Sequence, residues 1–116
     1  METVDTSNVS PDCASIVQSL RALYDVCVAV AASQPAKRKE MEDSSKRLGV
    51  LLWKLANGDV SPSVTAKLKT LAQALDVADF AAAQSAQMAL TTADWDECSG
   101  WLNACKRLTK FRATLP

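Results

Sequence analysis

The sequence predicts an all-α fold, an antiparallel five-helix bundle, and three observations carry that prediction. Apolar residues recur at three- and four-residue spacing along most of the chain. Only three glycines and four prolines occur in 116 residues, which leaves little material for the turns of a sheet. Three of those prolines, Pro11, Pro35 and Pro62, fall with polar residues beside them where helix starts would need them. The length suits one domain, expected over residues 11–113, with a flexible tail at 1–10 and a short one at 114–116.

The elements follow from this punctuation. Ser10-Pro11 opens the first helix as a capping serine with proline at the first helical position. The stripe Ile16, Leu20, Leu23, Cys27 and Val30 carries it to about Ala32. Pro35 opens the second, which runs to Ala56 and stops at Asn57-Gly58. Ser61-Pro62 repeats the opening signal for a third helix ending near Leu75. Asp76, with Asp79 three residues on, can cap a short alanine-rich fourth helix reaching about Leu90. It carries Phe80, Met88 and Leu90 among small residues that suit close packing inside the bundle more than a groove for a partner helix. Thr91 or Thr92 is expected to cap a continuous fifth helix from Ala93 to about Ala113. The connections are short, so sequential helices should pack antiparallel.

The helix faces differ. Val64, Leu68, Leu71 and Leu75 fall within an arc of about 60° on the third helix, a narrow seam for one or two neighbours. On the second, Met41, Leu48, Leu51, Leu52 and Leu55 make one stripe, while Val50 and Trp53 point away from it. Either this helix is central and packed on two sides, or Val50 and Trp53 form an exposed patch for a partner. The usual presence of a central member in such bundles favours the first. On the fifth helix Cys98, Trp101, Leu102, Cys105 and Leu108 form the core stripe, with Trp95 and Phe111 at its margins.

Little in the sequence points to catalysis. The absence of histidine excludes Ser-His-Asp and Cys-His nucleophile activation and every His-containing zinc site. There is no glycine-rich phosphate loop. The carboxylates cluster in the first turns of helices, at Glu40, Glu42 and Asp43 and at Asp94, Asp96 and Glu97, where solvated charge favours the dipole. An enzyme is therefore not expected, and no catalytic, cofactor-binding or metal-binding residue is assigned. Nor is a small-molecule substrate. Cys13, Cys27, Cys98 and Cys105 lack Cys-x-x-Cys spacing and read as reduced, cytosolic, mostly core thiols. Thirteen basic against thirteen acidic residues argue against nucleic acid as a partner. No run approaches the ~18 consecutive apolar residues of a membrane span, so insertion into a membrane is not expected.

What remains is a surface for another protein. The neutral total conceals segregated charge: Lys106, Arg107, Lys110 and Arg112 crowd the end of the fifth helix, whereas residues 76–97 carry five acids and no base. At that end the bases also suit the helix dipole. Lys37, Arg38 and Lys39 start the second helix, where the dipole opposes them, which makes them better evidence for a partner. With the marginal aromatic residues, the candidate partner-binding set is Lys37, Arg38, Lys39, Trp53, Trp95, Lys106, Arg107, Lys110 and Phe111.

Two stretches carry a family resemblance. Residues 37–80 contain LWKLANGDVSP between two helices and then LAQALDVADF; residues 91–108 contain W-D-E-C-x-x-W-L-x-x-x-K-R-L. Together they resemble the C-terminal helical domain of the large outer-coat subunit of the COPII vesicle coat, particularly its plant-type form. The same domain family includes the C-terminal domain of steroid receptor RNA activator protein. The resemblance implies a helical bundle, and a terminal fragment of a coat protein acting between endoplasmic reticulum and Golgi. It implies other COPII coat subunits, inner or outer, as partners, and a cytoplasmic location on the periphery of vesicles derived from the endoplasmic reticulum. The other branch implies an RNA-linked transcriptional co-regulator. KRKEMEDSSKRLG and WDECSGWL look closer to the coat branch.

Overall fold

Pro11, Pro35 and Pro62 each sit at the first position of a helix, where the missing N–H leaves no bond unmade. In the computed structural model of the chain, which describes residues 9–114, these open α1 (Pro11–Ala31), α2 (Pro35–Ala56) and α3 (Pro62–Asp76). α4 (Phe80–Ala93), α5 (Trp95–Cys98) and α6 (Leu102–Ala113) complete six helices, with no strand among the described residues. Most of the expected N-terminal tail, residues 1–8, and the last two residues of the C-terminal one lie outside the described residues. Ser61 caps α3 by accepting from the Val64 N–H at 3.3 Å, and Asp79 caps α4 by accepting from the Ala82 N–H at 3.1 Å. Ser10 precedes α1 with extended backbone but makes no side-chain cap. Asp76, expected to cap α4 with Asp79 three residues on, instead ends α3 and accepts from Ser19 Oγ of α1 at 2.7 Å, so Asp79 caps alone.

The continuous fifth helix is broken. Thr91 and Thr92 lie inside α4, and Thr91 Oγ1 donates back to the Gln87 carbonyl at 3.0 Å instead of capping. Asp94 is the residue that ends α4 and starts α5. After one turn the helix stops at Ser99-Gly100 and restarts at Leu102. Glycine is the weakest helix former after proline, and Trp101, the residue that follows it, is buried in the core.

The five longer helices close a ring in the order α1, α2, α6, α4, α3, and α1 also touches α6 across it. This makes α1 and α6 the members with most neighbours and corrects the expectation of a central α2. α2 packs on α1 and α6 through Met41, Leu48, Leu51, Leu52 and Leu55, all buried, while Val50 and Trp53 face outward. From Cys13 to Ala31, α1 is long and apolar enough to cross a membrane by length and composition. In the bundle Ile16, Val17, Leu20, Leu23 and Tyr24 of this stretch are buried against the other helices, while Val26 is exposed.

Three cysteines belong to this core. Burial pushes the Cys27 and Cys98 thiols up to about 11 and that of Cys105 up to about 12. Cys27 Sγ also donates weakly to the Leu108 carbonyl at 3.5 Å, joining α1 to α6. Cys13 is half-buried at the mouth of a recess with Leu55, Val60 and Thr65. Iodoacetamide on the native protein at pH 8 should therefore label Cys13 alone quickly, with the other three reacting only after denaturation, as intact-mass measurement would read. The same shifts work against the fold in alkali. A protonated buried thiol contributes fully below its ordinary value of 9.0, and that contribution is lost as pH rises towards 11–12.

Candidate functional site

Helix α6 positions the site because it is wedged between α2 and α4 and shows each a different face. Toward α2 it turns Arg107. The Arg107 guanidinium donates through Nη1 to Asp43 Oδ2 at 3.1 Å, to Ser44 Oγ at 3.4 Å and to the Glu40 carbonyl at 3.5 Å. Arg47 meets the same Asp43 oxygen at 3.1 Å and reaches the Gly100 carbonyl at 3.3 Å, at the break before α6. The two guanidiniums, Arg107 first and Arg47 second, hold the Asp43 carboxyl below the usual carboxylate range. Arg107 thus docks α6 on α2 while its side chain stays partly exposed at a recess shared with Lys37, Lys110 and Phe111.

Arg38 is also committed within the fold. Its Nε and Nη2 donate to the Ala32 carbonyl at 3.0 and 2.6 Å, satisfying the C-terminal end of α1. A basic residue placed against the dipole of its own helix thereby serves the carboxyl end of the preceding one. Lys37 pairs with Glu40 at 3.2 Å, and its Nζ stands 5.4 Å from the centre of the Phe111 ring. Phe111 itself is half-buried against the core. Lys39 is exposed at the start of α2.

Lys106 and Lys110 differ from Arg107. They line a groove of about 680 Å³ between α4 and α6, with Phe80, Met88, Thr91 and Ala113 among the other walls. The two helices run antiparallel there: Phe80 lies under the Arg112 guanidinium at 5.7 Å, and Gln87 meets Thr109. At the floor, buried Gln87 Nε2 donates to Thr109 Oγ1 at 2.8 Å, and Thr109 Oγ1 donates to the Cys105 carbonyl at 2.8 Å. Met88 is 68% exposed although it belongs to a helix bearing few other large residues. Lys110 further lines a second recess with Gln34, Lys37, Glu40 and Phe111.

The structure therefore gathers Lys37, Lys106, Lys110 and Phe111 around the carboxyl end of α6. Lys39 lines neither recess, and the two tryptophan candidates lie elsewhere. Trp53 is 56% exposed on the outer face of α2, and Trp95 is 41% exposed on α5. Trp95 precedes all twelve residues of α6, about 18 Å of helix, on the side away from that cluster. Near it, Asp94 is held by Lys67 and by Ser63 Oγ, and Glu97 accepts from the Ser61 N–H at 2.9 Å, so the acids of this turn fasten α5 to the start of α3. Met88, expected to pack closely inside the bundle, stands exposed instead, and sequence reasoning overlooked the Gln87–Thr109 latch. The available signal was a methionine and a glutamine inside an otherwise alanine-rich run.

No family model matches the chain, and no solved structure does. Curated proteins do. The chain is 40% identical over 109 residues, 91% of its length, to protein transport protein SEC31 homolog B of Arabidopsis thaliana. It is 37% identical over 75% of its length to protein transport protein SEC31 of Pyricularia oryzae, and 28% identical over 97% to that of Aspergillus oryzae. The match covers 10%, 7% and 9% of those proteins, so the chain spans about a tenth of the relatives it resembles. By these relatives the chain belongs to the Sec31 family, as a Sec31-related domain.

Proposed function

We propose that this chain is a non-catalytic protein–protein interaction module of the COPII outer coat, supporting coat assembly in transport from endoplasmic reticulum to Golgi. The observation that carries the proposal is the 40% identity to a plant protein transport protein across 91% of the chain. The partners are other coat subunits, and the place of action is the cytoplasmic surface of vesicles leaving the endoplasmic reticulum. With Arg38 and Arg107 bonded within the fold, Lys106 and Lys110 on the groove are the basic residues assigned to the contact, with Lys37 and Phe111 beside them. For the RNA-linked alternative there is no stacking platform among the described residues. Tyr24 and Trp101 are buried, and Trp53 and Trp95 stand on separate elements.

The chain should bind purified outer- or inner-coat proteins, and the contact should weaken as salt rises. Reversing Lys106 and Lys110 together to glutamate should weaken it at least tenfold while the far-ultraviolet circular dichroism stays unchanged. Arg107→Glu is the instructive contrast, because it places a carboxylate against Asp43 and should lower the unfolding midpoint as well. Unchanged binding in the double variant removes the basic rim from the contact. Failure to bind any coat protein removes the reading itself.

A further inference from the structure

We propose that the groove between α4 and α6 holds an acidic amphipathic helix of a partner protein, an inference that rests on the reading of the chain as an interaction module. The walls and rim of the groove argue for this occupant together. Its apolar surface comes from Phe80, Ala81, Met88 and Ala113, and Met88 stands in solvent without a covering neighbour. Its charged rim is Lys106 and Lys110, and among the described residues no lining side chain is acidic. Asp79, at the end of the groove, is turned to the Ala82 N–H as the cap of α4. The floor is closed by the Gln87–Thr109–Cys105 hydrogen bonds, which leave those polar groups no need of a ligand. An apolar trough with one sign of charge along its edge selects an apolar stripe flanked by the other sign.

Spacing refines the match. Phe80 and Met88 are eight residues apart on one helix, about 12 Å, or a little over two turns. Lys106 and Lys110 are four apart on α6, about 6 Å, or one turn. A helical partner lying along the groove would present large apolar residues two turns apart and carboxylates one turn apart beside them. The groove runs beside α4 from Phe80 to Thr91, which fits a segment of about three turns.

The test uses the whole chain with a synthetic helical peptide of fourteen residues, having leucines two turns apart and glutamates one turn apart. The same peptide with lysine for glutamate is the control. The acidic peptide should bind at least tenfold more tightly, with amide shifts confined to residues 80–91 and 106–113 in nitrogen–proton correlation spectra. Met88→Glu, a change at an exposed position, should weaken binding at least tenfold without altering helicity. Equal binding of both peptides, indifference to Met88→Glu, or shifts centred on Trp53 or Trp95 would each overturn the proposal. So would a concentration-dependent mass in sedimentation that Met88→Glu abolishes, since a second copy would then occupy the groove. Coat-protein binding retained in Met88→Glu sinks the groove proposal while the coat reading stands. Peptide binding without any coat-protein binding does the reverse.

Discussion

Replacing Trp101 with alanine should destabilise the protein by about 4 kcal/mol, the usual cost of deleting a fully enclosed large aromatic side chain. Trp101 is 1% exposed, and it occupies the junction where the chain leaves α5 and starts α6. Its N–H donates to the Cys98 carbonyl at 3.0 Å, so the residue both closes the turn and fills the core beneath it. A small domain holds about 5–15 kcal/mol in total, so the loss should leave a marginal fold with a much lower urea midpoint. Trp53→Ala is the matched control, because it removes the same indole from a surface position and should cost about 0.5 kcal/mol or less. Urea titrations followed by circular dichroism would compare them. Similar midpoints for the two variants would contradict the placement of the helix break.

Thr109→Val should cost about 1–3 kcal/mol, which is large for a change that keeps shape and volume. The hydroxyl of Thr109 receives Gln87 Nε2 at 2.8 Å, and both side chains are buried between α4 and α6. Valine leaves the Gln87 amide with only a long 3.5 Å approach to the Cys105 carbonyl. Gln87→Leu should cost less, because Thr109 keeps its own bond to Cys105 at 2.8 Å. In the double variant no donor is stranded, so it should recover much of what Thr109→Val loses. Additive losses in that double-mutant cycle would show that the latch carries no coupling between the helices.

The helix starts were legible because proline and short polar side chains act locally. Pro11, Pro35, Pro62, Ser61 and Asp79 need only their own helix to express their preference. The stripes of α2 and α3 were legible for the same reason. The break at Ser99-Gly100 was not, since a glycine inside a periodic stretch is compatible with a continuing helix and with a stop alike, and only the tertiary packing decides. The standing of α2 depended on which helices flank it, a property of the ring and not of its sequence. The basic cluster was visible as charge but not as geometry. Lys106, Arg107 and Lys110 read alike in the chain, yet Arg107 faces about 100° from Lys106 and about 60° from Lys110, which sends it to Asp43 and leaves the lysines on the groove. Met88 was masked by its alanine neighbours, which suggested close packing where the structure has an open wall.

The wedged position of α6 also sets the order in which the fold can form. Its partners α1 and α2 lie far upstream: Cys27 meets Leu108 across 81 residues and Asp43 meets Arg107 across 64. Such pairings require long loops to close before they are rewarded, so the bundle should fold more slowly than a simple chain of neighbouring hairpins. During synthesis α1 to α4 emerge first, with the sides of α1, α2 and α4 that α6 will cover still open to water. The growing polypeptide is therefore most adhesive just before its last long helix arrives, and it is α6 that seals it.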